Sequence, residues 1–250
     1  MSRSAPSGIS YAFGPGPMTP AVRWIIYVNV AAFFVTFFAP QFFVNFFGLV
    51  PKEILENFWA WQLVTYLFIH DPGGVMHVLF NMLAVWMFGV ELERRWGSAA
   101  FVRFYFITGV GAGIVTALVS LLPLAATSSF YAIPTIGASG AVYGLILAWA
   151  MIFPQRQVLF MMIFPLPART FAFILGSMSF LFAATGRNGG VAEATHLAGF
   201  VIAYLYLKGP TNLRLELNYR ITKWRMDRMR RKFGVHQGGR RDDKWGGRVH

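Results

Sequence analysis

Long apolar runs alternate along the chain with short polar segments, many of which contain arginine. Because an α-helix needs about 20 apolar residues to cross the roughly 30 Å hydrocarbon core of a bilayer, such runs predict membrane-spanning helices. The fourth and sixth runs are short, which fits helices that are enclosed by neighbours and contain small residues. The six predicted spans lie near residues 24–39, 75–93, 99–122, 137–153, 169–185 and 194–208.

The composition favours the same class of protein. Of the 250 residues, 56% are hydrophobic and 13% are charged, whereas soluble domains carry about 25% charged residues. We therefore predict an all-α polytopic membrane protein whose six transmembrane helices form a bundle over residues 23–208. The chain contains no cysteine, which excludes disulfide bonds, thiolate metal sites and a cysteine nucleophile.

The two ends of the chain differ from its apolar middle. Residues 1–22 are rich in Gly, Pro and Ser and lack a continuous apolar segment. They predict a disordered leader rather than a cleavable signal sequence. From Lys208 onward there are thirteen Lys or Arg against four Asp or Glu, so residues 209–250 are predicted to form a basic tail.

The distribution of Lys and Arg predicts the orientation, because positively charged residues are enriched in cytoplasmic loops. The loops on one side are rich in arginine, while the opposite loops hold only Lys52 and Arg187. This pattern predicts that both termini lie in the cytoplasm. The loop arginines on the cytoplasmic side are Arg94, Arg95, Arg103, Arg156 and Arg169.

The basic tail has two possible partners, nucleic acid and a membrane surface. A basic segment directly after a span is better explained by topology and by attraction to anionic lipid, worth about 1 kcal/mol per residue near the surface. Trp224, Met226 and Met229 add the apolar character of a helix that lies in the membrane interface. We therefore predict anionic lipid as the partner of the tail, and no nucleic acid.

Four polar residues lie inside the apolar spans, near their non-cytoplasmic ends: His77 and Asn81 in the second span, Ser139 in the fourth and His196 in the sixth. Polar side chains inside a membrane are costly unless they have partners, and they often mark a functional site. His77 and Asn81 are four residues apart and share one helix face. Such a pair more often joins helices by hydrogen bonds than acts in catalysis, and both interpretations stay open here.

Small residues near the serine and the last histidine predict a close approach of their helices. Gly140 and Gly144 are four residues apart in GASGAVYG, and Gly199 follows His196 on the same helix face. Small residues let helix backbones approach closely. A short side chain such as Ser139 could then reach the imidazole.

A serine becomes a nucleophile when a neighbouring base removes its proton, and a neutral imidazole is such a base. Ser139 and His196 are the candidates for these two roles. Glu193 precedes His196 by three residues, but its place at a loop boundary predicts that it faces water. We therefore predict a dyad rather than a triad, with Tyr143 stacked on the imidazole as the orienting group.

Acyl transfer also needs hydrogen-bond donors directed at the oxyanion, each worth about 2.7–4 kcal/mol of transition-state stabilisation. The candidates are His77, Asn81 and the backbone N–H groups where Gly137 and Ser139 start a helix. The histidines do not fall at ligand spacing with acidic partners, so we predict no metal and no cofactor. His70, in FIHDPGG, is assigned to the loop rather than to the site.

Together these motifs resemble those of the rhomboid family of intramembrane serine proteases. GASGAVYG is similar to the family's GxSG motif, HVLFN to its HxxxN element and HLAGF to its last-span histidine motif; WQLVTYLFIH and ELERRWG also resemble the family. The resemblance covers about residues 20–208, with the three catalytic motifs in the expected order. The family usually has a second glycine where this chain has Ala203, and we expect slightly wider packing there without loss of activity.

The resemblance implies an intramembrane serine endopeptidase. It makes Ser139 the nucleophile and His196 the base, with His77 and Asn81 at the oxyanion. The substrates would be transmembrane segments of other proteins, and the location would be the bacterial inner membrane. The main alternative is a rhomboid-like pseudoprotease that binds membrane proteins without cutting them. A small-solute transporter and a lipid hydrolase are further alternatives.

Overall fold

The computed structural model describes residues 14–122, 128–160, 163–185, 190–209, 222–226 and 228–229. Short 3₁₀ turns lie at Tyr66–Phe68 and Ser128–Tyr131, and strands β1 (Gln157–Phe160) and β2 (Phe164–Pro167) form an antiparallel hairpin. The α-helices in chain order are α1 Pro20–Phe38, α2 Pro40–Phe47, α3 Pro51–Asn57, α4 Gln62–Thr65, α5 Val75–Trp96, α6 Ser98–Val119, α7 Ser139–Ile152, α8 Ala168–Thr185 and α9 Val191–Lys208.

The predicted all-α polytopic class is confirmed, with one small exception. In the described part of the chain, α1, α5, α6 and α8 are long and apolar enough to cross a membrane, and α7 is a shorter apolar helix. α9 lies at the position of the sixth predicted span. Four of the six predicted spans thus meet both criteria of length and apolarity. The exception is the β1–β2 hairpin, which occupies the loop between the fourth and fifth predicted spans.

The bundle is arranged around α6 and α7. These two helices share the most extensive contact, and α5 packs against both α1 and α7. Large side chains fill the space between them and are fully buried, among them Tyr66, Phe101, Phe104, Tyr105 and Leu145. α8 is far less enclosed, since only 17% of its apolar window is buried. The core therefore lies between α1, α5, α6 and α7.

Proline and glycine set several helix boundaries. Pro20, Pro40 and Pro51 lie in the first turns of α1, α2 and α3, where a missing N–H removes no helical hydrogen bond. Gly97 alone separates α5 from α6 and has a φ of +80°, a left-handed conformation that favours glycine. The connection between these two predicted spans is therefore very tight.

The segment before α1 is ordered against α5. Trp86 Nε1 donates a hydrogen bond of 3.0 Å to the carbonyl of Gly16, and Arg94 donates one of 2.6 Å to the carbonyl of Pro15. The predicted disordered leader is therefore wrong for residues 14–22, while its residues 1–13 lie outside the described residues. The error has a physical reason, because the partners that order this segment come from a helix far away in the sequence.

Glu93 of α5 holds the start of α1. Its carboxylate accepts hydrogen bonds of 2.9 Å from the N–H groups of Ala21 and Val22, and further ones from the hydroxyls of Thr19 and Ser98. The first N–H groups of a helix lack acceptors within the helix, and a negative charge there is favourable. ELERRWG thus joins the start of α1 to the α5–α6 turn.

The basic tail belongs to a second compact unit, Lys208–His250. Its described part is helical at residues 222–226 and 228–229. Trp224 and Met226 expose 56% and 48% of their surface. Exposed apolar side chains beside basic ones are what an interfacial helix needs, and the lipid partner of the tail stays a prediction.

Candidate active site

The loop before α7 is fixed by hydrogen bonds to the segment between α2 and α5. Thr135 and Leu49 exchange two backbone hydrogen bonds, of 2.8 and 2.9 Å, and the N–H of Gly137 donates to the carbonyl of Tyr66 at 2.9 Å. Gly137 has a φ of +114°, which favours glycine. These contacts set the direction of the chain as it reaches Ser139, the first residue of α7.

Buried polar side chains support that loop from below. The hydroxyl of Tyr66 donates to the carbonyl of Gly109 in α6 at 2.6 Å, and Gln62 accepts from the N–H of Val50 at 2.9 Å. Both side chains are fully buried. A buried polar group is stabilising only when its hydrogen bonds are made, so these contacts fix the loop relative to α6.

The backbones of α7 and α9 touch where both helices lack side chains. A Cβ atom added to Gly199 would lie 2.0 Å from the carbonyl oxygen of Gly140. Gly140 in turn faces Thr195 of α9 and Ala112 of α6, at 3.3 and 3.0 Å from a Cβ placed on it. This contact brings the first turn of α7 against the first turns of α9.

Gly144 belongs to a different interface from the predicted one. A Cβ atom at Gly144 would lie 2.9 Å from Cβ of Thr108, which belongs to α6. The prediction that Gly140 and Gly144 together admit α9 is therefore wrong for Gly144. The physical reason is that α7 has neighbours on both sides, so that its small residues are divided between them. Ala203 is fully buried, and its methyl group is accommodated.

Ser139 and His196 meet at this helix contact. Ser139 Oγ lies 2.8 Å from His196 Nε2, a hydrogen-bonding distance. The ring of Tyr143 lies parallel to the imidazole, with 4.2 Å between the ring centres and 9° between the planes. The imidazole is therefore held by a hydrogen bond at one edge and by an aromatic ring on one face.

Glu193 takes a position that the sequence did not predict. Its Oε2 lies 3.1 Å from Nδ1 of His196, and its side chain is only 16% exposed. The expectation that Glu193 faces water is therefore wrong. α9 begins at Val191, earlier than predicted, so Glu193 is on the helix and shares a face with the residue three positions later.

His77 lies beside the loop that precedes the serine. A Cβ atom added to Gly137 would lie 2.8 Å from His77 Nε2 and 3.8 Å from Ser139 Oγ. The absent side chain of Gly137 thus leaves a space that these two groups border. Asn81, one turn below, donates from Nδ2 to the carbonyl of His77 at 2.9 Å. An amide nitrogen carries two N–H groups, so Asn81 keeps one more donor.

Gly137 itself contributes no donor to that space. Its N–H is bonded to the carbonyl of Tyr66, which corrects the prediction that it stabilises an oxyanion. The contribution of Gly137 is its left-handed backbone and its missing side chain. The N–H of Ser139, the first residue of α7, has no acceptor four residues earlier within the helix and is the backbone donor at this position.

His70 belongs to the loop before α5, as predicted, but this loop packs against the site. His70 is fully buried, its ring centre lies 5.0 Å from that of His77, and its Nε2 accepts from the N–H of Ala138 at 3.5 Å. Nδ1 faces the carbonyl of Phe68 at 3.4 Å, so the neutral ring with a proton on Nδ1 satisfies both contacts. The short separation from His77 in the sequence was the signal available for this residue.

Burial lowers the pKa of His70 to about 4, and repulsion from His77 adds to this effect while the hydrogen bond to Phe68 opposes it. The unfolded chain binds the proton at about pH 6.5. The contribution of His70 to stability is therefore complete above that pH and is lost as the pH falls towards 4, by about 3 kcal/mol in total.

A variant without the titrating ring tests this dependence. His70→Gln keeps a donor and an acceptor, so its Tm should fall less than that of the wild type between neutral pH and pH 5, where about 2 kcal/mol of the effect is expected. Thermal unfolding of both proteins in the same detergent measures the difference. Parallel Tm curves for the two proteins would rule out a neutral, buried His70.

Within the described residues, no three or more His, Asp or Glu side chains are grouped so that they could hold a metal ion. The groups that the structure brings together at this place are a serine hydroxyl, an imidazole and hydrogen-bond donors. Such a set can carry out acyl transfer.

The sequence profile of the rhomboid domain matches residues 57–209, more than half of the chain. Rhomboid protease AarA of Providencia stuartii is 26% identical over 210 residues, which cover 76% of this chain and 74% of that protein. RHOMBOID-like protein 4 of Arabidopsis thaliana is 35% identical over 99 residues, 40% of this chain and 22% of that protein. Rhomboid protease GluP of Bacillus subtilis is 32% identical over 98 residues, 39% of this chain and 17% of that protein.

The matched segments differ in extent. The chain spans about a fifth of the length of the Arabidopsis relative and about a sixth of GluP, whereas it spans 74% of AarA. All three matches are to proteins whose names place them among rhomboids.

Proposed function

The chain belongs to the rhomboid family, and on this premise we propose that it is a serine endopeptidase that cleaves transmembrane segments of other membrane proteins. The observation that carries the proposal is the 2.8 Å contact between Ser139 Oγ and His196 Nε2. A nucleophile and a base within hydrogen-bonding reach are the requirement for activating a serine at neutral pH.

In the first step, Ser139 Oγ attacks the carbonyl carbon of the scissile peptide bond while His196 Nε2 takes the hydroxyl proton. The tetrahedral intermediate carries a negative oxygen, which needs donors in place before it forms. The N–H of Ser139, the ring of His77 and the remaining N–H of Asn81 are the proposed donors. The observation that supports this assignment of donors is the space beside Gly137, which both His77 and Ser139 border.

In the second step, His196 gives its proton to the leaving amine and the C–N bond breaks, which leaves an acyl ester on Ser139. Water then attacks this ester with His196 again as the base, and the serine is regenerated. The side chain of His196 remains 15% exposed, which is compatible with access of water to the imidazole.

The proposed substrates must expose a peptide bond that a helix normally protects. Backbone groups inside a membrane are satisfied by the helix itself, so a substrate has to unwind locally before Ser139 can attack. Small or helix-breaking residues near the cleaved bond lower the cost of unwinding. We therefore propose transmembrane segments that contain such residues as the substrate class.

The proposed location is the bacterial inner membrane, with both termini in the cytoplasm. Arg94 and Arg95 lie in the last turn of α5, at the opposite end of the helix from His77. Positively charged residues favour the cytoplasmic side, so the site would open to the other side. The basic tail would then meet the anionic lipids of the cytoplasmic leaflet.

A fluorescent phosphonate that reacts with activated serines tests the function without knowledge of the substrate. The solubilised wild type should be labelled, whereas Ser139→Ala and His196→Ala should not be, and all three should have similar Tm values. A known active rhomboid, labelled under the same conditions, is the positive control. A wild type that stays unlabelled beside that control would contradict the protease and favour the pseudoprotease, which binds without cutting.

A further inference from the structure

The edge of His196 that faces away from Ser139 is also occupied. Oε2 of Glu193 lies 3.1 Å from Nδ1, and the two side chains expose only 15% and 16% of their surface. The pair is therefore largely shielded from water, where an ion pair or a charged hydrogen bond is stronger than at an open surface. A dyad of Ser139 and His196 makes no use of this carboxylate.

The two contacts of the imidazole determine its tautomer. A neutral imidazole carries one N–H and one lone pair. If Nε2 is to accept the proton of Ser139, the ring proton must be on Nδ1, and a carboxylate at that edge favours this form. Glu193 is the group at that edge. Among the residues that the structure describes, it is the acceptor for Nδ1 of His196.

The ring that covers the imidazole is held by a third helix. Ser179 of α8 is 1% exposed, and its Oγ donates to the hydroxyl of Tyr143 at 3.3 Å. Tyr143 is the residue stacked on the imidazole. Ser179 thus connects α8 to the ring that orients His196.

We propose that Glu193 is a positioning residue for the base, so that this chain works with a Ser139–His196–Glu193 triad. The proposal rests on the proposed function and extends it. Glu193 holds the proton on Nδ1 before the reaction and offsets the positive charge of the imidazolium afterwards.

The proton balance of the step is simple. As the bond between Ser139 Oγ and the substrate carbon forms, the proton of Oγ moves to Nε2 of His196, and the ring becomes positively charged. Glu193 stays ionised and does not take a proton, as in other serine protease triads. When the C–N bond breaks, the proton on Nε2 leaves with the amine and the ring is neutral again.

Charged and titratable groups around the imidazole come from several helices. His77 of α5 lies beside Gly137 and Ser139, Tyr143 covers the imidazole from α7, and Glu193 lies on α9 itself; Ser179 of α8, which contacts Tyr143, does not titrate. Of these, Glu193 is the acidic group. Loss of its charge makes the imidazolium less favourable, so the acidic limb of the pH–rate profile should move to lower pH.

Glu193→Gln keeps the size of the side chain and removes its charge. Removal of the acid of a triad lowers the rate by about 10⁴-fold in another serine protease. Here the two side chains keep 15% and 16% of their surface exposed, and we expect the rate of phosphonate labelling to fall by at least about tenfold. We expect the acidic limb of the pH–rate profile to move to lower pH as well. Glu193→Asp should recover part of the rate, and Ser179→Ala should lower it by a smaller factor.

The control is Glu56→Gln, which makes the same change at an exposed carboxylate of α3 and should leave both rate and profile unchanged. A Glu193→Gln protein that labels at the wild-type rate with the wild-type pH profile would overturn the proposal. A lower rate with an unmoved profile and a lower Tm would also overturn it, because that combination indicates a structural role.

A second measurement does not depend on activity. The tautomer of His196 can be followed by NMR in protein labelled with ¹⁵N at histidine, with His196→Gln used for assignment. The share of the neutral ring that carries its proton on Nδ1 should be smaller in Glu193→Gln than in the wild type, and an unchanged share contradicts the triad. If the wild type is not labelled by the phosphonate, the proposed protease fails, and this tautomer measurement alone decides the role of Glu193.

Discussion

Gly199→Ala is expected to abolish labelling of Ser139 and to lower the Tm of the protein. The new Cβ atom would lie 2.0 Å from the carbonyl oxygen of Gly140, far inside van der Waals contact. A backbone carbonyl cannot rotate away as a side chain can, so α9 has to move from α7. Overpacking of this kind costs about 1–3 kcal/mol of stability.

The same movement separates the reacting groups. Ser139 lies beside Gly140 on α7 and His196 lies one turn before Gly199 on α9, so the 2.8 Å contact between Oγ and Nε2 lengthens with the helix distance. A displacement of about 1 Å can reduce a catalytic rate by about 100-fold. We therefore expect a loss of at least that size in the labelling rate.

The measurement is the second-order labelling rate together with the Tm. Gly176→Ala in α8 is the matched control, since its added methyl meets only a side chain, the ring of Phe200, with Cε2 at 3.0 Å and Cδ2 at 3.3 Å. The control should keep most of the activity. If Gly199→Ala is labelled as fast as Gly176→Ala, the direct contact between α7 and α9 is not what positions the base.

Gly137→Ala is expected to remove activity while the helices stay folded. The backbone at Gly137 has a φ of +114°, which is strained for any residue with a Cβ. The methyl group would also lie 2.8 Å from His77 Nε2 and would fill the space where the proposed oxyanion forms. Loss of one donor to an oxyanion costs about 100- to 1,000-fold in kcat, and we expect a loss in that range.

The matched control for this variant is Gly73→Ala, in the loop before α5. A Cβ there lies 3.4 Å from the nearest atom, Oδ1 of Asp71, an ordinary contact. Far-ultraviolet circular dichroism and Tm should show that both proteins keep their helices. Activity of Gly137→Ala close to that of Gly73→Ala would contradict an oxyanion site beside residue 137.

The apolar runs predicted the long helices well because length and apolarity are local properties of the sequence. α5, α6 and α8 begin and end within a few residues of the predicted spans. The prediction was less accurate where polar residues continue a helix. α9 begins at Val191 rather than at residue 194, because Glu193 interrupts the apolar run near the start of the helix and only its contact with His196 shows that it lies on the helix.

The candidate residues were found from their chemistry, but their neighbours were not. A serine, two histidines and an asparagine inside apolar spans are costly without partners, which was reason enough to select Ser139, His77, Asn81 and His196. The leader shows the opposite case. The composition of residues 14–19 predicts a disordered segment, yet hydrogen bonds from Trp86 and Arg94 order this segment.

The sequence by itself determined the class of protein, the positions of its long apolar helices and the residue types available for chemistry, because these depend on local composition and spacing. Only the tertiary structure decided which groups meet. Gly144 packs on α6 rather than on α9, and Gly137 gives its N–H to Tyr66. Glu193 turns to His196 rather than to water. These contacts depend on how α5, α7 and α9 pack, and packing joins residues that no local pattern relates.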